Sequence, residues 1–369
     1  MLFNKTQDNT SYELNPLYYR RFVSAKQFPD VDILPQQIPL HKPENSYRIF
    51  VIGDQSLCSA FPEINKEQVL EDFSHEGMFY DIVQLAVPLT NSFAVRRLVT
   101  CVERYDADAC VLVTGANEFY GLPRKSAWMQ DINNYQGLRW YVTMKNHRFM
   151  QVLERFIYTK REKQEDFPPS DPDEWVIEYG SETYQESHEY FDRNLKGISK
   201  HSEHPIFLVS LPSNIKHRPY RSLFADKEMD DEALARECAI LAANPDRFII
   251  DRWIKDLGSW EPESAILYYC KAMIAETEGK EEEALELYNR AVELDGFRVR
   301  FNKDLYRSFV TYSTNDQTEL IDLFKISNDA SKEGLDIDQY FRNGLELNTS
   351  GKGLFISEIR SALIQHFNQ

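Results

Sequence analysis

From residue 47 onward the chain alternates short, strongly apolar runs with longer stretches whose apolar residues recur every three or four positions. "YRIFVIG" (47–53), "YDIVQLAVP" (80–88), "ACVLVTGANEFYG" (109–121) and "HPIFLVSLPSN" (204–214) are too uniformly apolar at their centres to be half-exposed strands, and each is bounded by Gly, Pro or Asn. They predict buried strands. "INKEQVLEDFSHEG" (64–77), "SFAVRRLVTCVERYDA" (92–107) and "LRWYVTMKNHRFMQVLERFIYTKREKQ" (138–164) predict amphipathic helices, the second opening after Asn91 and Ser92. Strands alternating with helices predict an α/β fold, a three-layer sandwich with a parallel sheet between helices. In such sheets the ligand crevice lies at the carboxyl ends of the strands, where Gly53, Ala86 and Gly115 fall.

The pattern differs at the two flanks. Residues 1–45 are polar and Pro-rich and predict an extended arm, and 162–184 predict a surface loop. Residues 46–229 form the α/β domain, 230–325 a helical insert, and 326–369 a last loop and helix that complete the domain. Within the insert, "YYCKAMIAETEGKEEEALELYNRAVELD" (268–295) resembles one tetratricopeptide unit. Tyr268 and Ala272 sit in its first helix, Gly279 in the turn, and Ala284, Tyr288 and Ala291 in its second. Stable arrays need about three such units, so this one is either a hairpin packed on the main domain or a surface that docks a protein partner.

Composition narrows the classes. With 369 residues, 42% of them hydrophobic, the chain can bury a sizeable core. A formal charge of −17 repels phosphate backbones and anionic lipid, which argues against nucleic acid and membrane-surface partners. No run of about 18 apolar residues predicts a membrane span. The five cysteines (Cys58, Cys101, Cys110, Cys238, Cys270) include no CxxC pair and predict reduced, buried thiols rather than a zinc site or disulfide framework. His201 and His204 are too few to predict a metal site, and no cofactor motif is present. The first residues lack an apolar signal-peptide core, which favours the cytoplasm, with the periplasm or envelope as the alternative if a leader is removed.

Five segments in order carry a family resemblance: "NPLYYRRF", "KPENSYRIFVIG", "VTGANEFYG", "LVSLPSNIKHRPY" and "YFRNGLELNTSGKGLFISEIRSAL". Together they resemble SGNH (GDSL-type) hydrolases, in the branch with tetratricopeptide-like helices before the last catalytic block. The resemblance implies a serine nucleophile after Gly-Asp, a histidine base, and an aspartate three residues before that histidine. It also implies an oxyanion held by a backbone N–H near the serine, a glycine amide in block two and an asparagine in block three.

The chemistry carries over unevenly. Asn117 stands at the block-three asparagine, followed by Glu118. In block two Ala86 takes the glycine position and Gln84 the asparagine position. In block five the Asp-x-x-His becomes Asn343-Gly344-Leu345-Glu346. Glutamate, with a reference pKa of about 4.3 against about 6.5 for histidine, is a poor base towards a serine hydroxyl unless burial raises it. After Gly53 and Asp54 the nucleophile position holds Gln55, or Ser56 if one residue is inserted. The implied function is a catalytically degenerate relative, binding a polar ligand (a glycan or acylated small molecule) or a protein partner. Its crevice would include Gly53, Asp54, Gln55, Ser56, Ala86, Asn117, Glu118, Asn343 and Glu346. The alternative is an altered enzyme: an esterase or acyltransferase using Ser56, or acid/base chemistry pairing Glu346 with Asp54 or Glu118. His217, in "PSNIKHRPY", reads as a loop histidine near the crevice rim.

Overall fold

The computed structural model describes residues 2–15, 37–53, 77–86, 90–121, 175–222, 231–243, 247–260, 263–314, 317–332, 337–342 and 346–368, with isolated positions between them. Its centre is a five-stranded parallel sheet in the order β5-β4-β6-β7-β8, formed by β4 (Ser46–Gly53), β5 (Phe79–Ala86), β6 (Ala109–Val113), β7 (Ile206–Ser210) and β8 (Thr318–Asp322). The four apolar runs supply the first four of these strands. Every residue of β6 and β7 is buried, as expected of central strands covered on both faces. The α/β class predicted from the alternation is therefore the class observed.

Strand register assigns the two faces. Tyr47 and Tyr80 are register partners, and both rings meet Phe367 near the end of helix α9 (Thr349–Phe367). Phe207 of β7 and Glu319 of β8, also partners, both meet His366. Helix α9 therefore covers one face, with its C-terminal end over the starts of the strands. Its N-terminus, and the loop before it, lie towards the carboxyl ends. The other face carries α1 (Ser92–Val102), α2 (Glu182–His201) and α7 (Lys303–Tyr312). Phe191 of α2 packs on Phe309 of α7, and Tyr306 of α7 donates to Asp322 of β8 at 2.7 Å.

Four helices, α3 (Asp231–Ala242), α4 (Arg247–Trp260), α5 (Ala265–Thr277) and α6 (Glu281–Leu294), lie between β7 and α7 in sequence. Helices α5 and α6 form a hairpin, with Ala272, Ala275, Ala284, Tyr288 and Val292 buried between them and Ile215 from the loop after β7 inserted in the same cluster. The chain leaves the sheet and rejoins it at one point. Arg221 N and Tyr220 N donate to the Asp295 carboxylate, and Gly296 N donates to the Arg221 carbonyl at 2.7 Å.

Four sequence expectations change. The N-terminal arm is not simply extended: β1 (Phe3–Lys5), β2 (Ser11–Leu14) and β3 (Gln37–Pro39) pair into an antiparallel sheet, with Phe3 and Tyr12 edge-on to Tyr105. Strand β8 falls inside 230–325, the range assigned to the insert, because its pairing with β7 outweighs a weak local pattern. Helix α7 lies in that range too, yet packs on the sheet. Finally, Cys238 of α3 and Cys270 of α5, both buried with Cα atoms 5.2 Å apart, form a disulfide. Packing of α3 on α5 brings together two cysteines that are 32 residues apart in sequence. Cys110 is a buried thiol, pushed up to about 12 by its burial.

All but the last residue of the predicted helix at 64–77, and most of the one at 138–164, lie outside the described residues. Among the described residues no helix is long and apolar enough to cross a membrane.

Candidate functional site

Gly53 closes β4 between Ala86 at the end of β5 and Val113 at the end of β6, so the ends of blocks one, two and three are neighbours at the carboxyl edge of the sheet. Asp54, Gln55, Ser56 and Asn343 lie outside the described residues. Gln84 is buried and, by register with Val51 and alternation from Tyr80, faces the α9 side. Neither of its side-chain polar atoms has a hydrogen-bond partner among the described residues.

The block-three loop starts at Gly115, whose φ of 114° suits glycine, and an added Cβ there would come within 2.7 Å of the Phe301 ring. Asn117 is half-buried. Its amide donates to the Thr90 carbonyl at 2.9 Å, and its own carbonyl accepts from Gly121 N. One of its two N–H protons is thus committed to tying blocks two and three together. Glu118 is buried at the start of α1, accepting from Ser92 N and Ser92 Oγ, each at 3.0 Å. A carboxylate there complements the helix dipole, and Asn194 completes the network by donating to Ser92 Oγ. Both oxygens of Glu118 serve as an anchor.

Block five is a closed loop. Phe341 bridges Leu347, Arg342 N donates to the Glu346 carbonyl, and Asn348 caps α9 by accepting from Gly351 N. Glu346 is exposed.

His217 and Tyr220 sit beside this loop. His217 stacks on Tyr220 with ring centroids 5.0 Å apart, and its Nδ1 lies 2.8 Å from the Arg218 carbonyl, which fixes Nδ1 as the donor. A Cβ on Gly344 would come within 2.6 Å of Tyr220 Oη and 3.0 Å of the His217 ring, so block five rests against this pair. Burial pushes the Tyr220 hydroxyl above its ordinary range.

Beneath the pair runs a strap from Asp295 to Asn302. Buried Arg300 pairs with Asp295 at 2.8 Å and donates to the His217 carbonyl at 2.9 Å. Ser213 donates to the Phe301 carbonyl, and Arg298 N donates to Tyr120 Oη. The strap therefore ties the block-three loop to the His217 loop. Its sequence signal is "DGFRVRFN", in which Arg and aromatic residues recur close together as the chain leaves the helices.

A Ser–His–Asp arrangement does occur elsewhere. His188 lies 3.5 Å from Ser308 Oγ and 3.9 Å from Asp192. These distances exceed those of a working relay, and Ser308 is buried between α2 and α7, so the contact is helix packing. Among the described residues no three His, Cys, Asp or Glu side chains converge on a metal position.

Comparison with protein-family models and with curated proteins finds no match.

Proposed function

We propose that this chain is a catalytically degenerate relative of SGNH hydrolases that acts as a binding or scaffolding protein for a polar ligand, a glycan or an acylated small molecule. The observation that carries this reading is Glu346, which occupies the aligned histidine position and is exposed on a closed loop. Amide and hydroxyl groups at the carboxyl edge suit hydrogen bonding to such a ligand. The helical hairpin offers a protein-binding face. The disulfide in the helical segment supports an oxidising location over the cytoplasm.

One observation favours a second reading, an altered esterase or acyltransferase. His217 brings an imidazole against block five from a different loop. In that reading His217 replaces the missing base for Ser56.

Intact-mass analysis after fluorophosphonate treatment separates the two. The binding reading expects no adduct under conditions that label a known serine esterase. Stoichiometric labelling that disappears in Ser56→Ala overturns it, and additional loss in His217→Ala establishes the relocated base.

A further inference from the structure

Next to block five, where β7 and β8 give way to the segments that follow them, lies a cavity of about 300 Å³. Its walls are largely apolar: Leu323 and Ile326 at the start of α8 (Leu323–Lys332), Phe341 and Leu347 flanking block five, and Leu354 and Phe355 on α9. Among its described lining residues, Phe341 and Leu347 flank block five, and Gly53, Ala86 and Asn117 are not included.

Three polar groups on its walls are already engaged. Ser327 Oγ donates to the Phe324 carbonyl at 2.8 Å. Asp329 accepts from Lys325 at 2.6 Å, which matches its charge. The Tyr340 carbonyl accepts from Asn348 N. The contacts of these groups give no preference for an ion or a polar head group. The volume holds about ten water-sized groups, and its position at the carboxyl edge of a parallel sheet is where α/β folds take ligands.

We propose that this cavity is a binding site for an uncharged aliphatic chain of about eight to ten carbons. The chain would lie between α8 and α9 and pack against Phe341 and Leu347. The proposal does not depend on the crevice binding a polar ligand, because this lining is largely apolar.

The test titrates the full chain with straight-chain primary alcohols from 1-butanol to 1-dodecanol, followed by methyl NMR of Leu347, Leu354 and Ile326. Binding is expected to tighten about fourfold per added methylene and to level off near ten carbons. Ala330→Phe, which fills the cavity from α8, is expected to abolish the chain-length dependence. Leu354→Ala, which enlarges it, is expected to move the plateau to longer alcohols, and it serves if Ala330→Phe does not fold. Affinity independent of chain length, or a plateau unmoved by Leu354→Ala, overturns the proposal.

Discussion

Asp295 ties its own strap to the loop after β7 with one carboxylate. It accepts from the backbone of Tyr220 and Arg221, from Phe297 N, and from the Arg300 guanidinium, which has almost no exposure of its own. Removing the acid strands a cation in the interior. Asp295→Ala is expected to cost about 3–5 kcal/mol, read as a lower urea midpoint, and to loosen the His217 loop as well. At this scale the sequence was informative about what is missing and less so about what is near. The lack of histidine in block five is plain in "NGLEL". That Glu346 faces solvent, and that His217 and Tyr220 rest against Gly344, depends on loops brought together by the sheet and the strap. No local pattern encodes such an approach.

Strands that are buried on both faces announce themselves, and this is why the runs at 47–53, 80–88, 109–121 and 204–214 could be read directly. Strand β8, "TELID", carries two acids in five residues and offers no such run. Its place is set by pairing with β7 and by Ser210 Oγ donating to Asp322. The strands of the small N-terminal sheet are three or four residues long, too short for periodicity to show. Helices α3 and α4 have a related dependence on context. They attach through modest clusters around Ala235, Ile266, Trp253 and Ile254, and through the disulfide. Closing a loop of 32 residues contributes about 3–4 kcal/mol by restricting the unfolded chain. Cys238→Ser combined with Cys270→Ser is therefore expected to speed amide exchange in α3 and α4. Exchange in β4, β6 and β7 is expected to stay as slow as before.

At the largest scale, the described residues form a parallel sheet that the chain leaves for α3 to α6 and then rejoins. Fold class was legible because the alternation of strand and helix spans most of the chain. The limits of the excursion were not, because a change of texture near residue 230 does not reveal where the chain returns. The return is at Asp295, hydrogen-bonded to the point of departure at Tyr220 and Arg221. A deletion of 223–293, bridged by a short Gly-containing turn, is expected to keep the near-ultraviolet circular dichroism and cooperative unfolding of the sheet. Stability should fall somewhat, because Ile215 loses its hairpin partners.

Two chain ends that meet at one spot make a natural seam for recombination. A gene could acquire, lose or exchange the helical cassette in a single event without re-routing any strand. What the cassette contacts and what the sheet edge recognises are then free to diversify at different rates within one lineage.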